Sequence, residues 1–147
     1  MHQIRRSAIV EHSVDRLHAV VADVAAYPGF LPWCLATSQD GRTEEGIVAT
    51  MEVGIRGLRQ RFTTLHRSVP PAEIEIRLVE GPFRHFHAHW HFKPLGGQAA
   101  KIDFAMEYEF SGPAVSKLLG PLFEHIADTM VDAFTRRADA LHGRAAR

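Results

Sequence analysis

Along the last third of the chain, apolar residues recur at the spacing of one helix face. Val115, Leu118, Leu119, Leu122, Phe123, Ile126, Ala127, Met130, Val131, Phe134, Ala138 and Leu141 follow an i, i+3, i+4, i+7 pattern, which predicts a long amphipathic helix over residues 114–141. Lys117, Glu124, Asp128, Asp132, Arg136 and Asp139 take the opposite side, with Asp132 and Arg136 spaced for an i, i+4 pair. Gly112-Pro113 marks the start and Gly143 the end, while Gly120-Pro121 removes a backbone donor inside the run and predicts a kink. At ~1.5 Å per residue such a helix is about 40 Å long, so burying its stripe takes a whole sheet.

The strands that supply this sheet show a period of two. Residues 2–11 read as a first strand, and Ser13 then caps a short helix whose apolar face is Val14, Leu17, Val20, Val21 and Val24. Residues 27–34, with Pro28 and Pro32 among Tyr27, Phe30, Leu31 and Trp33, form an irregular aromatic corner. From Leu35 onward the alternation is of strands. Ile47, Ala49, Met51, Val53 and Ile55 share one face; Phe62, Thr64 and His66 share another; Ile74, Ile76 and Leu78 alternate with Glu73, Glu75 and Arg77. Phe86, Ala88, Trp90 and Phe92 alternate with His85, His87, His89 and His91, and Ile102, Phe104, Met106, Tyr108 and Phe110 alternate with polar residues. Turns are expected at Asp40-Gly41, Glu45-Gly46, Gly57, Pro70-Pro71, Gly81-Pro82 and Gly96-Gly97. The connections are too short for crossover helices, so the sheet is an antiparallel meander with one apolar face. That face and the helix stripe must cover each other, and a twisted seven-stranded sheet curling round a helix leaves room for a ligand wherever inward side chains are small.

Composition narrows the function classes. Seventeen Lys and Arg balance seventeen Asp and Glu, so net charge argues neither for DNA nor for long-range attraction to anionic membranes. One cysteine, Cys34, excludes an internal disulfide. No apolar run reaches the ~18 residues of a membrane span, and no secretory or transit signal is expected. The 147 residues fit one domain with a core over about residues 3–141. The expected location is the cytoplasm, with a peripheral place at the inner membrane as a second option.

Two motifs sharpen this. Tyr27-Pro28-x-Phe30-Leu31-Pro32-Trp33-Cys34 and Gly81-Pro82-Phe83-Arg84-x-Phe86-x-x-x-Trp90-x-Phe92-x-Pro94, with Met130-Val131-x-Ala133-Phe134-x-x-Arg137-Ala138, resemble the START-like group of coenzyme Q-binding proteins and ribosome-association toxins. The resemblance implies an α+β helix-grip fold: a curved seven-stranded antiparallel sheet around the long C-terminal helix, with two short helices after strand 1. It further implies a polyprenyl quinone or similar lipid in a hydrophobic cavity, held by a binding protein or chaperone without catalytic residues or cofactor. Two alternatives stay open: inhibition of ribosomal subunit association through the large subunit, and polyketide cyclase-type catalysis.

Strand parity and the helix stripe place Phe62, Ile76, Trp90, Phe104, Tyr108, Phe123, Ala127 and Met130 as expected lining, joined by Trp33 from the aromatic corner, with Phe30, Leu31 and Trp33 at the entrance. Tyr108 is expected to offer its hydroxyl to a quinone carbonyl. Arg56, Arg59, Arg61 and Arg67 form a basic stripe that fits ribosomal RNA or lipid headgroups, with Arg59, Arg61 and Arg67 as its first contact candidates, although a Pro70-Pro71 hairpin sets Arg67 against Glu75. The four histidines are spaced to chelate a metal, yet parity puts them on the outer face. There, His85, His87 and His91 would lie across from Glu109, Glu107 and Asp103 as a ladder of exposed pairs. Cys34 lacks a partner base in sequence, and His66, His125 and Asp23 form no recognisable catalytic set.

Overall fold

In the strand Ala100–Phe110, burial alternates at every position: Ala100, Ile102, Phe104, Met106, Tyr108 and Phe110 are buried and the residues between them are half exposed. This is the signature of a sheet with one covered face, and the whole molecule is built on it. The computed structural model describes residues 1–143. The strands are β1 (His2–Val10), β2 (Cys34–Thr43), β3 (Gly46–Ile55), β4 (Leu58–Val69), β5 (Glu73–Glu80), β6 (Phe83–Pro94) and β7 (Ala100–Phe110). They form one antiparallel sheet in the order β1-β7-β6-β5-β4-β3-β2. The meander runs from β2 to β7, and β1 closes the far edge beside β7.

The segment between β1 and β2 therefore carries the chain from one sheet edge to the other. It contains α1 (Val14–Ala22), whose first turn is capped by the Ser13 hydroxyl accepting from the Arg16 amide. A 3₁₀ helix, Val24–Gly29, follows. The expected irregular corner thus holds one regular turn of the tighter kind, which tolerates Pro28 in a short piece. The sequence places a turn at Asp40-Gly41; the structure instead runs β2 through it with a bulge between Gln39 and Gly41. Bulges draw on the same Gly and Asp chemistry as turns, so composition alone did not separate them.

The long helix α2 spans Pro113–His142 with Pro121 inside it, enters at Gly112 and ends on Gly143 at φ 71, where glycine meets no penalty. Leu119, Leu122, Phe123, Ile126, Ala127, Val131, Phe134 and Ala138 are buried. Leu118 and Leu141, which the periodicity assigned to the stripe, are exposed, because the stripe is broader than the surface the sheet covers. Three polar contacts fix the helix in its grip. Arg6 Nη2 donates to Asp128 Oδ1 at 2.8 Å, Trp33 Nε1 donates to Thr129 Oγ1 at 3.2 Å, and His12 Nε2 meets Asp139 Oδ1 at 2.6 Å. His12 is fully buried; nothing in its sequence neighbourhood marks it, because its partner lies 127 residues away.

Candidate functional site

Two aromatic groups fill the space between sheet and helix. Toward the start of α2, Phe62, Phe83, Phe86, Tyr108, Phe110 and Phe123 pack ring against ring. Farther along α2, Phe134 meets the rings of Tyr27, Phe30 and Trp90, and Trp90 meets Phe104 at 4.6 Å. Between the groups, Ala88 stands where β6 otherwise carries Phe86 and Trp90, and a cavity opens beside it.

The lining comes from most of the fold: Met51 and Val53 of β3, Phe62, Thr64 and His66 of β4, Ile76 of β5, Phe86, Ala88 and Trp90 of β6, and Phe104 and Met106 of β7. Phe123, Ile126, Met130 and Phe134 of α2 roof it, and Tyr27 and Trp33 close one side. Its volume is about 50 Å³, roughly a third of the ~150 Å³ cavity known to admit benzene. A ring-sized ligand enters only if the lining moves, and Met51, Met106 and Met130 are the side chains best suited to repack around one.

Four lining residues carry polar atoms. Tyr27 donates its hydroxyl to the Val21 carbonyl and Trp33 its indole N–H to Thr129, so both point those groups out of the cavity. Thr64 Oγ1 and His66 Nε2 pair with each other at 2.8 Å, making a polar spot on an otherwise apolar wall. Burial disfavours the imidazolium and pushes the His66 pKa down to about 4, so the ring is neutral at physiological pH and serves as a hydrogen-bonding group.

Of the side chains expected to line the site, Trp33, Phe62, Ile76, Trp90, Phe104, Phe123 and Met130 border the cavity. Four do not. Tyr108 is buried on the same sheet face but stacks on His2 at 4.9 Å and packs with Phe83 and Phe123. Burial, then Glu124 and Asp128, raises its phenol pKa. Tyr108 therefore stands outside the cavity lining, on the side of α2 that carries Glu124 and Asp128. Ala127 is buried beside the cavity row formed by Phe123, Ile126, Met130 and Phe134, because a full helical stripe is wider than the void it faces. Phe30 sits behind Tyr27 and Phe134 with the Arg137 guanidinium 5.0 Å over its ring, and Leu31 is fully packed, so neither forms the rim. Tyr27, Met51, Val53, Thr64, Phe86, Ala88, Met106, Ile126 and Phe134 complete the lining without having been singled out. For the strand residues among them, the alternating pattern was the available signal.

The remaining candidates separate cleanly. Cys34 is buried, and burial pushes its thiol up to about 11, which keeps it protonated and inert. Asp23 and His125 are exposed. On the outer face the register is as expected, with His85, His87 and His91 across from Glu109, Glu107 and Asp103. The side chains choose other partners: His85 Nε2 meets Glu107 at 3.0 Å, His87 meets Glu75 at 2.9 Å and His89 meets Glu73 at 2.8 Å. These diagonal and β5-directed contacts arise because sheet twist brings neighbouring carboxylates closer than the directly opposite ones. Among the described residues no group of three or more His, Cys, Asp or Glu is placed to hold a metal. Arg59 and Arg61 both approach Glu52, at 3.5 and 3.4 Å, and Arg67 lies opposite Glu75 in the ladder.

An open antiparallel sheet curled onto a C-terminal helix, with an apolar cavity at their junction, defines a START-like helix-grip protein. The chain belongs to the family of polyketide cyclases / dehydrases and lipid transport proteins, whose model matches residues 10–135. It is 44% identical over 140 residues to the ribosome association toxin RatA of Pseudomonas aeruginosa, covering 95% of this chain and 97% of that protein. It is 29% identical to the mitochondrial coenzyme Q-binding protein COQ10 homolog B of Xenopus laevis, covering 94% of this chain and 58% of that one. A START superfamily protein from Mycobacterium smegmatis superposes with a TM-score of 0.77 over 96% of this chain and 99% of its own, at 23% identity, a likeness of fold. Among the described residues no helix is long and apolar enough to cross a membrane.

Proposed function

We propose that this protein binds a long apolar ligand, a polyprenyl quinone in first place, between the sheet and α2, and acts as a binding protein or chaperone for it. The observation that carries this reading is the cavity beside Ala88, apolar except for the Thr64–His66 pair. Apolar transfer at ~25 cal/mol per Å² supplies affinity without a strong polar anchor, and the Thr64–His66 pair can take a quinone oxygen. Similarity to a coenzyme Q-binding protein supports the ligand class. A neutral His66 with a pKa of about 4 is a poor general acid at pH 7, which favours binding over cyclase chemistry.

The test is organic extraction of the purified protein followed by mass spectrometry, with Ala88→Val as control. Ala88 is buried at the cavity wall, and the two added carbons roughly fill the void, so the variant is expected to fold within about 1 kcal/mol of the parent. It should lose co-purified quinone. Equal quinone in both proteins would sink the cavity reading.

A second reading is favoured by one specific observation, the near full-length 44% identity to a protein named for ribosome association. On this reading the chain acts on the large ribosomal subunit, and Arg59, Arg61 and Arg67 are its contact candidates. Subunit profiles on sucrose gradients decide it: the protein should lower the fraction of joined subunits, and Arg61→Glu with Arg67→Glu should restore it.

A further inference from the structure

Beside the cavity, and sharing Trp33 with it, lies a separate surface groove of about 320 Å³. Its floor is apolar, formed by Pro32, Trp33, Leu35, Ile55 and Leu58, and its charged and titratable members are Arg56, Arg59 and His125. Leu35 and Ile55 are 41% and 37% exposed, large apolar side chains held in water. Leu118, 60% exposed, continues the apolar surface along α2, seven residues from His125 and on the same helix face.

The charge around this surface is lopsided. Arg56 and His125 have no ion-pair partner among the described residues; Arg59 has Glu52 at 3.5 Å. Arg56 also breaks a local rule. It occupies the first position of the tight turn between β3 and β4 at φ 51, followed by Gly57 at φ 85, where Asn or Gly is the residue the turn favours. A long cation held in a left-handed conformation at the tip of a hairpin points to use of its charge.

We propose that this groove, with the β3–β4 tip and the Leu118 side of α2, is a docking surface for an anionic lipid bilayer, placed so that the cavity opens toward the membrane past Trp33. Exposed apolar side chains beside the unpaired Arg56 suit a lipid interface, where acyl chains take the former and a phosphate headgroup the latter. Nucleic acid would leave Leu35, Ile55 and Leu118 without partners. Trp33 is the partition: its ring lines both spaces, and the Thr129 hydroxyl that holds its N–H also donates to the His125 carbonyl on the groove side.

This inference rests on the cavity-binding reading for its purpose, so its test keeps the two apart. Full-length protein is sedimented with vesicles of phosphatidylcholine alone and with phosphatidylglycerol added, at low salt. Binding is expected with phosphatidylglycerol, and it should fall roughly fivefold for each charge removed by Arg56→Gly or Arg59→Gln. Leu35→Ser combined with Ile55→Ser should weaken it roughly tenfold at unchanged charge. Arg56→Gly suits its backbone, so its melting temperature should not drop, and lost binding cannot be blamed on unfolding. Binding of a water-soluble short-chain ubiquinone to the parent protein without vesicles reports on the cavity separately. No binding to anionic vesicles, or binding that ignores Arg56 and Arg59, overturns the docking surface even if the quinone analogue binds. Loss of large-subunit binding in these variants with vesicle binding unchanged also overturns it and assigns the surface to the ribosome.

Discussion

Strand β6 carries two different chemistries on its two sides. Inward, Phe86, Trp90 and Phe92 are almost fully buried around Ala88, and they touch residues of distant elements. Outward, His85, His87 and His89 are a third or more exposed and each meets one glutamate. The same backbone and the same ladder serve both, so the difference lies in what each side removes from water. Burial of an aromatic ring contributes several times what an exposed histidine–carboxylate contact does. The inner side holds the fold and shapes the cavity; the outer side adjusts charge at the surface.

The largest expected effect comes from breaking the inner side. Trp90→Ala removes a ring that touches Phe92, Phe104 and Phe134, and should destabilise the protein by about 3–5 kcal/mol in urea unfolding. Acid comes next. His66 has a folded pKa of about 4 against 6.5 unfolded, so below pH 6.5 the unfolded chain takes up a proton that the native protein refuses. Stability is full above pH 6.5 and drains as pH falls toward 4, by on the order of 3 kcal/mol from this residue. Burial also lowers the pKa of His18 and acts in the same direction. His66→Phe should flatten the slope between pH 6.5 and 4 in denaturant melts; an unchanged slope would mean that His66 is solvated.

The smallest effect belongs to the outer side. His85→Ala and His89→Ala should each shift stability by no more than about 0.5 kcal/mol at pH 7. Glu75 acts in the same direction as His66 but in a more acidic window and for a different reason: the His87 hydrogen bond lowers its pKa despite partial desolvation, with Arg77 helping. Its contribution is present above the ordinary glutamate range and is lost as pH falls through its lowered value. If an outer histidine variant cost as much as Trp90→Ala, the contrast between the two faces would collapse.

Much of this contrast was legible from residue order. Strand parity assigned Phe86, Trp90, Phe104 and Met106 to the inside and the histidines to the outside, and hairpin spacing set His87 opposite Glu107 and Arg67 opposite Glu75. Parity follows from local backbone geometry, which a period of two reports directly. It says nothing about which inward residues meet a void. Tyr108 and Phe104 alternate identically, yet Phe104 borders the cavity while Tyr108 sits against the helix flank.

What residue order determined alone, then, was the set of elements, their faces and the need for a sheet to grip the last helix. These are properties of neighbours along the chain. Tertiary structure decided the course of the segment after β1 across the sheet, the His12–Asp139 contact, the position of the cavity beside Ala88 and the second groove at Trp33. Each depends on side chains from elements far apart in sequence, set by sheet twist and helix packing, and so has no local pattern to announce it.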